Sequence, residues 1–191
     1  MKNDIKPKGL HINKEYCGIS LHTQKLLNSQ KGLTVNYMKC IEDLQCSDLV
    51  AFANSEYGGT ILIGVQEIID IKGVSKAKVI GCLIGNNERL KIVNKAISCI
   101  PEIEIEIIYE NLDNKPIIRI EIPSGKFKPY CTSSGIYLIR GDGKNIPLNP
   151  NSLLNILFFV FIKIFKKILG SFQSIHLYIN LPLNFRLLLF I

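Results

Sequence analysis

The sequence lacks the residue patterns of several common catalytic and cofactor sites. Its six cysteines are scattered, with no CxxC pair and no neighbouring histidine, so they form no zinc-binding pattern. A GxxxxGK[ST] segment is absent, because Leu138 stands where the first glycine should precede Gly143–Lys144, and Asn145 follows the lysine. A GxGxxG pattern fails because Ile146 stands at its third glycine. None of the three histidines has a partner that would make it a base or a ligand: His11, His22 and His176. We therefore expect no metal ion and no cofactor.

Two further absences bear on location. The N-terminal segment MKNDIKPKGL contains no hydrophobic signal region, which predicts a cytoplasmic protein with free thiols. The longest uncharged apolar run, residues 153–162, is too short for a bilayer, which needs about 20 residues.

Acidic residues are also in the minority. The 191 residues include 23 Lys and Arg against 16 Asp and Glu, a formal charge of +7. Residues 151–191 contain no acid and contribute +4, which leaves +3 for residues 1–150. A mildly basic body suits a polyanionic partner, although charge reports on association and not on fold.

Hydrophobic periodicity predicts an α+β fold: a mixed, mostly antiparallel sheet with packed helices. Apolar stripes indicate helices near 18–30, 42–54 and 86–100, and a fourth from residue 148. Residues 102–110 and 116–123 alternate and predict an antiparallel hairpin with one solvated face. The other predicted strands are 32–40, 60–65, 77–85 and 135–140, with residues 66–76 forming a loop or hairpin tip.

The chain divides into three parts in this interpretation. Residues 1–17 are a loose, polar lead-in, residues 18–157 form the domain, and residues 158–191 are an apolar tail. The tail is interpreted as a truncated or frame-shifted extension in preference to a basic helix lying on a membrane surface. A homodimer is compatible with the sequence.

The stretch VAFANSEYGGTILIGV, residues 50–65, predicts a helix that ends on two glycines and turns into a buried strand. We expect Gly58 and Gly59 to provide the left-handed turn. Gly64, inside the strand, allows another backbone or a ligand to approach closely.

This stretch, followed by GVSKAKVIG, PEIEIEI, IRIEIP and YLIRGDGKN, resembles the Schlafen AlbA-like domain over about residues 27–157. That family is usually described as a DNA-binding domain, and in older naming as a divergent ATPase domain. The resemblance therefore implies the fold and a nucleic-acid partner, DNA or RNA.

The resemblance also bears on catalysis. Nuclease members of the family use a carboxylate cluster to hold a divalent metal ion, in a region that includes a Glu-aromatic-Lys triplet. Here Tyr37 and Lys39 match the triplet, but Asn36 replaces the glutamate. Because a neutral amide is a poor metal ligand at that position, we predict a protein without catalytic residues. Glu42 and Asp43 are interpreted as acids at a helix N-terminus, and Asp48 as part of a solvated helix face.

The predicted nucleic-acid contacts fall in three segments. Arg140, Lys144 and Asn145 surround a glycine turn whose amides could hold a phosphate. Phe127 and Tyr130 are aromatics interleaved with lysines and could stack on bases or fill the core. The complete predicted set is Lys39, Lys126, Lys128, Arg140, Lys144 and Asn145. We expect the Arg140 head group to lie in water.

Two other classes of function stay open at this point. One is an enzyme, either a metal-dependent nuclease or an ATP-binding and ATP-hydrolysing protein. The other is a protein-interaction remnant of a larger regulator. A carboxylate trio converging near Asn36 would favour the nuclease.

Overall fold

The structure is a computed structural model that describes residues 12–15, 18–69, 71 and 75–169. Its centre is a sheet of five strands: β1 Ile12–Glu15, β2 Val35–Met38, β3 Gly59–Ile63, β6 Glu106–Leu112 and β7 Lys115–Ile122. Their order in the sheet is β1-β6-β7-β3-β2. The two outer pairs are parallel and the two inner pairs are antiparallel.

Two small hairpins and four helices complete the described part. The hairpins are antiparallel and pair β4 with β5 and β8 with β9. A 3-10 turn at Ile41–Asp43 precedes the second helix. The remaining elements are α1 Leu21–Leu27, α2 Cys46–Asn54, α3 Asn86–Ile97, α4 Pro150–Leu169, β4 Val65–Ile69, β5 Ser75–Val79, β8 Leu138–Arg140 and β9 Asn145–Pro147. The predicted α+β class with mostly antiparallel pairing is confirmed.

Apolar side chains cover both faces of the sheet. One face carries the larger cluster, in which Ile61, Ile63 and Ile120 pack with the fully buried α2 residues Leu49 and Phe52. The predicted alternation of Ile103, Ile105 and Ile107 holds, because all three side chains belong to this cluster. The second face carries a smaller cluster that joins β2 and β3 to α1 and the β4–β5 hairpin. Tyr37 belongs to this second cluster, and its hydroxyl lies 2.6 Å from the Leu26 carbonyl oxygen.

The hairpin of β6 and β7 differs from its prediction, because its second face is not solvated. Glu110 and Arg119 are 1% and 7% exposed and form an ion pair of 3.3 Å. Ser20, at the N-terminus of α1, donates to Glu110 from its amide at 3.1 Å and its hydroxyl at 2.9 Å. Arg119 also contacts Glu121 at 2.9 Å. The N-terminal end of α1 covers this part of the face, so Glu110 lies in a buried polar network, whereas Glu102 and Glu104 are exposed.

Three other predictions differ in detail. Residues 12–15, placed in a loose lead-in, pair in parallel with β6. In α3 the buried positions are Ile92, Val93 and Ala96, whereas Leu90 and Ile97 are 42% and 46% exposed. The segment 66–76, predicted as a loop or hairpin tip, lies in a hairpin but also contains most of strand β4 and the first two residues of β5.

The chain forms two compact units, Met1–Leu157 and Phe158–Ile191. In the second unit the structure describes only residues 158–169, which belong to α4. Among the described residues there is no helix of the length and apolarity needed to cross a membrane.

Candidate nucleic-acid interface

Gly58 and Gly59, which connect α2 to β3 and which we call the glycine joint, are each required for a different steric reason. Of these two glycines, only Gly58 has a backbone in the left-handed region, with φ +70°. A Cβ at Gly58 would lie 2.2 Å from the Ile122 carbonyl oxygen. A Cβ at Gly59 would lie 2.3 Å from Cδ1 of Phe52. The prediction that both glycines form the left-handed turn is therefore wrong for Gly59, where the space is needed by the Phe52 ring.

Gly64 also has positive φ, at +88°, and the neighbour that approaches it is backbone. A Cβ there would lie 3.0 Å from the Gly81 carbonyl carbon and 3.1 Å from the Pro116 carbonyl oxygen. The Gly64 carbonyl accepts hydrogen bonds from the amides of Ile80 and Gly81. Of the two expectations for Gly64, the close approach of another backbone is the one observed.

Phe52 in turn supports Arg140, whose position differs from the prediction. Arg140 is only 6% exposed, and its guanidinium carbon lies 4.9 Å from the centre of the Phe52 ring. The Arg140 Nε donates to the Gly32 carbonyl at 3.0 Å, and Nη1 donates to Asn145 Oδ1 at 2.8 Å. Burial lowers the pKa of Arg140, while the carboxylates of Asp48 and Asp142 act in the opposite direction. The expectation that its head group lies in water is wrong, because the side chain is a buried connector.

Asp48 and Asn145 extend this network. Asn145 Nδ2 donates to Asp48 Oδ1 at 2.7 Å, and the amide of Gln45 donates to Asp48 Oδ2 at 2.8 Å. Asp48 is 8% exposed, so it is not part of a solvated helix face. Its carboxylate fixes both the start of α2 and the β8–β9 turn, which is why one acid is buried in an otherwise apolar helix.

Asn54, the last residue of α2, makes a second connection that the sequence analysis missed. Its Nδ2 donates to the carbonyls of Tyr130 and Leu138, both at 2.8 Å, and its Oδ1 accepts from the Tyr130 amide at 2.7 Å. A polar residue at the end of the apolar run AFAN was the available signal, since a buried amide requires partners.

The loop after β7 carries the two aromatics predicted to stack on bases, and only one of them is exposed. Tyr130 is 4% exposed and belongs to the core, whereas Phe127 is 70% exposed. Of the two lysines, Lys128 donates to the Ser55 carbonyl and to the Ser124 hydroxyl. Lys126 is exposed and lies 3.5 Å from the carboxylate of Glu104. Phe127 and Lys126 are therefore the side chains that this loop presents to solvent.

A second exposed aromatic, Tyr57, lies in the adjoining loop and was not predicted. It is 77% exposed and immediately precedes Gly58. The Gly58 Cβ position is 2.6 Å from the amide nitrogen of Ser124, so the two loops are in direct contact. We call residues 55–58 together with 123–130 the loop face.

The glycine turn at residues 141–144 lies beside another lysine. A Cβ at Gly143 would lie 3.8 Å from the Lys31 carbonyl oxygen, and one at Gly32 would lie 3.4 Å from Asp142 Oδ1. Lys144 is exposed on this turn. The turn is connected to the loop face through Ser55, whose hydroxyl accepts from the Arg140 amide at 3.3 Å.

Lys39 lies at the opposite end of the sheet from the loop face. It follows Met38, which is level with Ile63 of β3, and Ile63 is level with Ile118 of β7. The loop face instead follows Ile122, at the end where β3 begins. The structure therefore does not bring Lys39 together with Lys126 and Lys128.

The carboxylates near Asn36 are engaged in separate contacts. Glu42 pairs with Lys91 at 2.9 Å, and the hydrogen bond from Lys91 lowers the pKa of Glu42. Asp43 Oδ2 accepts from the amides of Lys39 and Cys40, so it caps the 3-10 turn. Asn36 itself is 4% exposed. Across the ranges that the structure describes, no three acidic, histidine or cysteine side chains are grouped to hold a metal ion.

A cleft of about 520 Å³ opens beside Tyr57 on the α1 side of the sheet. Its lining includes His22 and three glutamates, of which Glu121 lies 3.3 Å from His22 Nε2. His22 is thus not isolated, contrary to the sequence analysis. His11 and His176 lie outside the described residues. Of the three carboxylates, Glu104 pairs with Lys126 and Glu121 pairs with Arg119, so cations partly balance the charge of the cleft.

The described cysteines are unpaired thiols: Cys40, Cys46, Cys82, Cys99 and Cys131. Burial raises the pKa of Cys82 to about 11 and that of Cys99 to about 12. These two thiols are therefore protonated at neutral pH: Cys99 belongs to the core, and Cys82 is half-buried and packs against it. Cys17 lies outside the described residues.

Two solved structures resemble the chain at low identity. The first is the N-terminal domain of a RecG-related protein from Nitrosomonas europaea, with a TM-score of 0.49, 19% identity, and coverage of 57% of this chain and 76% of that one. The second is the DIP2311 protein from Corynebacterium diphtheriae, with a TM-score of 0.46 and 13% identity, covering 66% of this chain and 26% of that one. Both are too distant to transfer a function. No curated protein sequence matches significantly.

The family comparison is more direct. The sequence profile of the family described as Schlafen, AlbA_2 matches residues 23–149, which is more than half of the chain. The matched range includes most of α1, the glycine joint, both strands of the β6–β7 hairpin and the β8–β9 turn. The chain belongs to the Schlafen AlbA_2 family.

Proposed function

We propose that the protein is a nucleic-acid-binding module, for DNA or RNA, with no reaction of its own. The observation that carries the proposal is the pair of exposed aromatic side chains, Tyr57 and Phe127, on two loops in contact. Exposed apolar groups that lie together on a surface mark interaction sites, and these two rings belong to adjoining loops. Base stacking on such rings contributes about 1–3 kcal/mol per base and tolerates any sequence.

A few lysines of the loop face and of the neighbouring glycine turn are available for phosphates. Lys126 is exposed beside Phe127, and Lys31 and Lys144 lie near the glycine turn. Lys128 is held by Ser55 and Ser124, and Arg140 is buried, so neither is free to lead a phosphate contact. From the sequence-derived set, Lys126 and Lys144 therefore remain as the proposed phosphate contacts, with Lys31 added.

This distribution predicts a specific salt dependence. Three lysines that neutralise phosphates of a single strand give a slope of log K against log salt of about −2. A module that relies on stacking should also bind single strands more tightly than duplexes, because duplex bases are not available to the rings.

The test is a fluorescence-anisotropy titration of single-stranded and duplex DNA and RNA across a series of salt concentrations. The proposal predicts binding of single strands with that shallow slope. Absence of binding at low salt, or equal affinity for duplexes and single strands, would contradict it. The same samples, incubated with magnesium or manganese, should show no cleavage of labelled RNA. Metal-dependent turnover that is lost in a Glu42→Gln variant would support the nuclease alternative instead.

A further inference from the structure

The second compact unit contains a helical segment whose composition differs from that of the domain. Residues 158–169 continue α4 and have the sequence FFVFIKIFKKIL. The segment holds three lysines, Lys163, Lys166 and Lys167, and residues 151–191 hold no acid. Because this segment contains lysines and no acidic residue, the lysines have no carboxylate within the segment to pair with. The resulting positive charge favours an anionic partner.

Helical geometry places the two kinds of residue on opposite sides. With 3.6 residues per turn, positions 161, 164 and 165 share one side, and positions 163, 166 and 167 share the other. On the apolar side Phe161 is 58% exposed and Ile164 is 54% exposed. The rings of Phe161 and Phe165 stack, with centroids 5.8 Å apart and planes inclined by 17°. The segment is thus an amphipathic helix with an exposed aromatic side and a basic side.

We propose that residues 158–169 bind, parallel to the surface, to membranes that contain anionic lipids. A helix with aromatic and aliphatic residues on one side and lysines on the other lies at the boundary of headgroups and acyl chains. The lysines then face anionic headgroups, and the Phe161 side enters the apolar layer. This inference concerns a different unit of the chain from the loop face and does not depend on nucleic-acid binding.

The experiment is co-sedimentation of the full chain with vesicles of phosphatidylcholine alone and of phosphatidylcholine mixed with phosphatidylserine. We expect binding to the mixed vesicles, weakening with added salt, and little binding to phosphatidylcholine alone. Phe161→Asp should lower the partition coefficient at least about tenfold, since it removes a large apolar group from the buried side. Lys166→Gln should lower it about fivefold.

Phe159→Asp provides the matched control. Phe159 is 49% exposed, close to the value for Phe161, but helical geometry places it on the lysine side. The proposal predicts a much smaller loss for Phe159→Asp than for Phe161→Asp. It is overturned if the full chain does not bind anionic vesicles, if it binds neutral vesicles equally, or if both phenylalanine variants lose binding equally. It is also overturned if Phe161→Asp instead dissociates an oligomer, because the aromatic side then packs on a second copy.

Thermal melting of each variant controls for misfolding. If the melting temperature of Phe161→Asp differs from that of the native protein, the proposal is tested instead with the triple variant Lys163→Gln, Lys166→Gln and Lys167→Gln. This variant leaves every apolar residue in place. Unchanged vesicle binding by that variant contradicts the proposal.

Discussion

Asp48 and Asn145, 97 positions apart in the sequence, are joined by a hydrogen bond of 2.7 Å from Asn145 Nδ2 to Asp48 Oδ1. Together with Arg140, this pair ties the start of α2 to the β8–β9 turn. The polar residues of the IRGDGKN segment thus hold two parts of the domain together.

Asn145→Ala is expected to destabilise the fold by about 1–3 kcal/mol. The substitution leaves the carboxylate of Asp48 without one of its donors in a buried setting. Chemical denaturation of both proteins measures the change. Lys144→Ala, one position earlier and exposed, is the control and should shift stability by no more than about 0.5 kcal/mol. Equal stability of the Asn145→Ala variant and the native protein would contradict the connecting role.

Arg140→Ala is expected to reduce stability by about 1–3 kcal/mol, because the Arg140 head group is buried and does not lie in water as the sequence predicted. The Gly32 carbonyl and Asn145 Oδ1 lose their donors, and the Phe52 ring loses its cation. Thermal melts and anisotropy titrations on the same sample separate stability from affinity. The affinity per folded molecule should stay nearly unchanged. If the Arg140→Ala variant is as stable as the native protein but binds nucleic acid much more weakly, the structural role is contradicted and Arg140 is a nucleic-acid contact.

Three glycine-to-alanine variants separate backbone strain from steric overlap. Gly135 has φ +78° with nothing within 4 Å of its Cβ position, so Gly135→Ala should cost only the left-handed penalty, about 1–2 kcal/mol. Gly58→Ala adds overlap with backbone and should cost considerably more. Gly59→Ala would overlap the Phe52 ring and also lie 2.8 Å from the Thr34 carbonyl oxygen, and such overpacking typically costs about 1–3 kcal/mol or more. Thermal unfolding that ranks Gly135→Ala as the most damaging of the three would show that the overlaps are relieved easily.

The raised pKa values of the half-buried Cys82 and the buried Cys99 predict a pattern of chemical reactivity. Cys82 and Cys99, with pKa values of about 11 and about 12, should react with iodoacetamide at pH 8 far more slowly in the native protein than in the unfolded chain. Peptide mapping by mass spectrometry gives the rate at each site. Because folding raises these pKa values above the ordinary 9, their contribution to stability is complete below about pH 9 and is lost as the pH rises towards 11 and 12. Equal rates in the native and unfolded states would contradict the burial of these thiols.

Hydrophobic periodicity was sufficient to predict most of the elements and the fold class. The helix before the glycine joint, the buried strand after it and the β6–β7 hairpin are all present. These elements are long or strongly patterned, and their apolar residues recur at the spacing that burial requires.

Positions that depend on strand order or on distant partners could not be predicted in the same way. Lys39 and Lys126 were grouped because both are basic, but the order of β2, β3 and β7 places them at opposite ends of the sheet. Arg140 was placed in water because its sequence neighbours are polar, whereas its partners Phe52 and Gly32 are supplied by remote segments. Glu110 was placed on a solvated face because alternation alone does not reveal the helix α1 that covers it.

Binding through the loop face is tested most directly by the affinity of Phe127→Ala for a labelled single-stranded oligonucleotide. The matched control is Leu83→Ala, because Leu83 is also largely exposed, at 81%, but lies away from the loop face. It follows Cys82, whose amide donates a hydrogen bond to the Pro116 carbonyl at the opposite end of β7. Anisotropy titrations should show Phe127→Ala weakened by about 1–3 kcal/mol and Leu83→Ala unchanged, with equal melting temperatures. If Phe127→Ala binds as tightly as the native protein, or if Leu83→Ala loses as much affinity, the loop face is not the nucleic-acid interface.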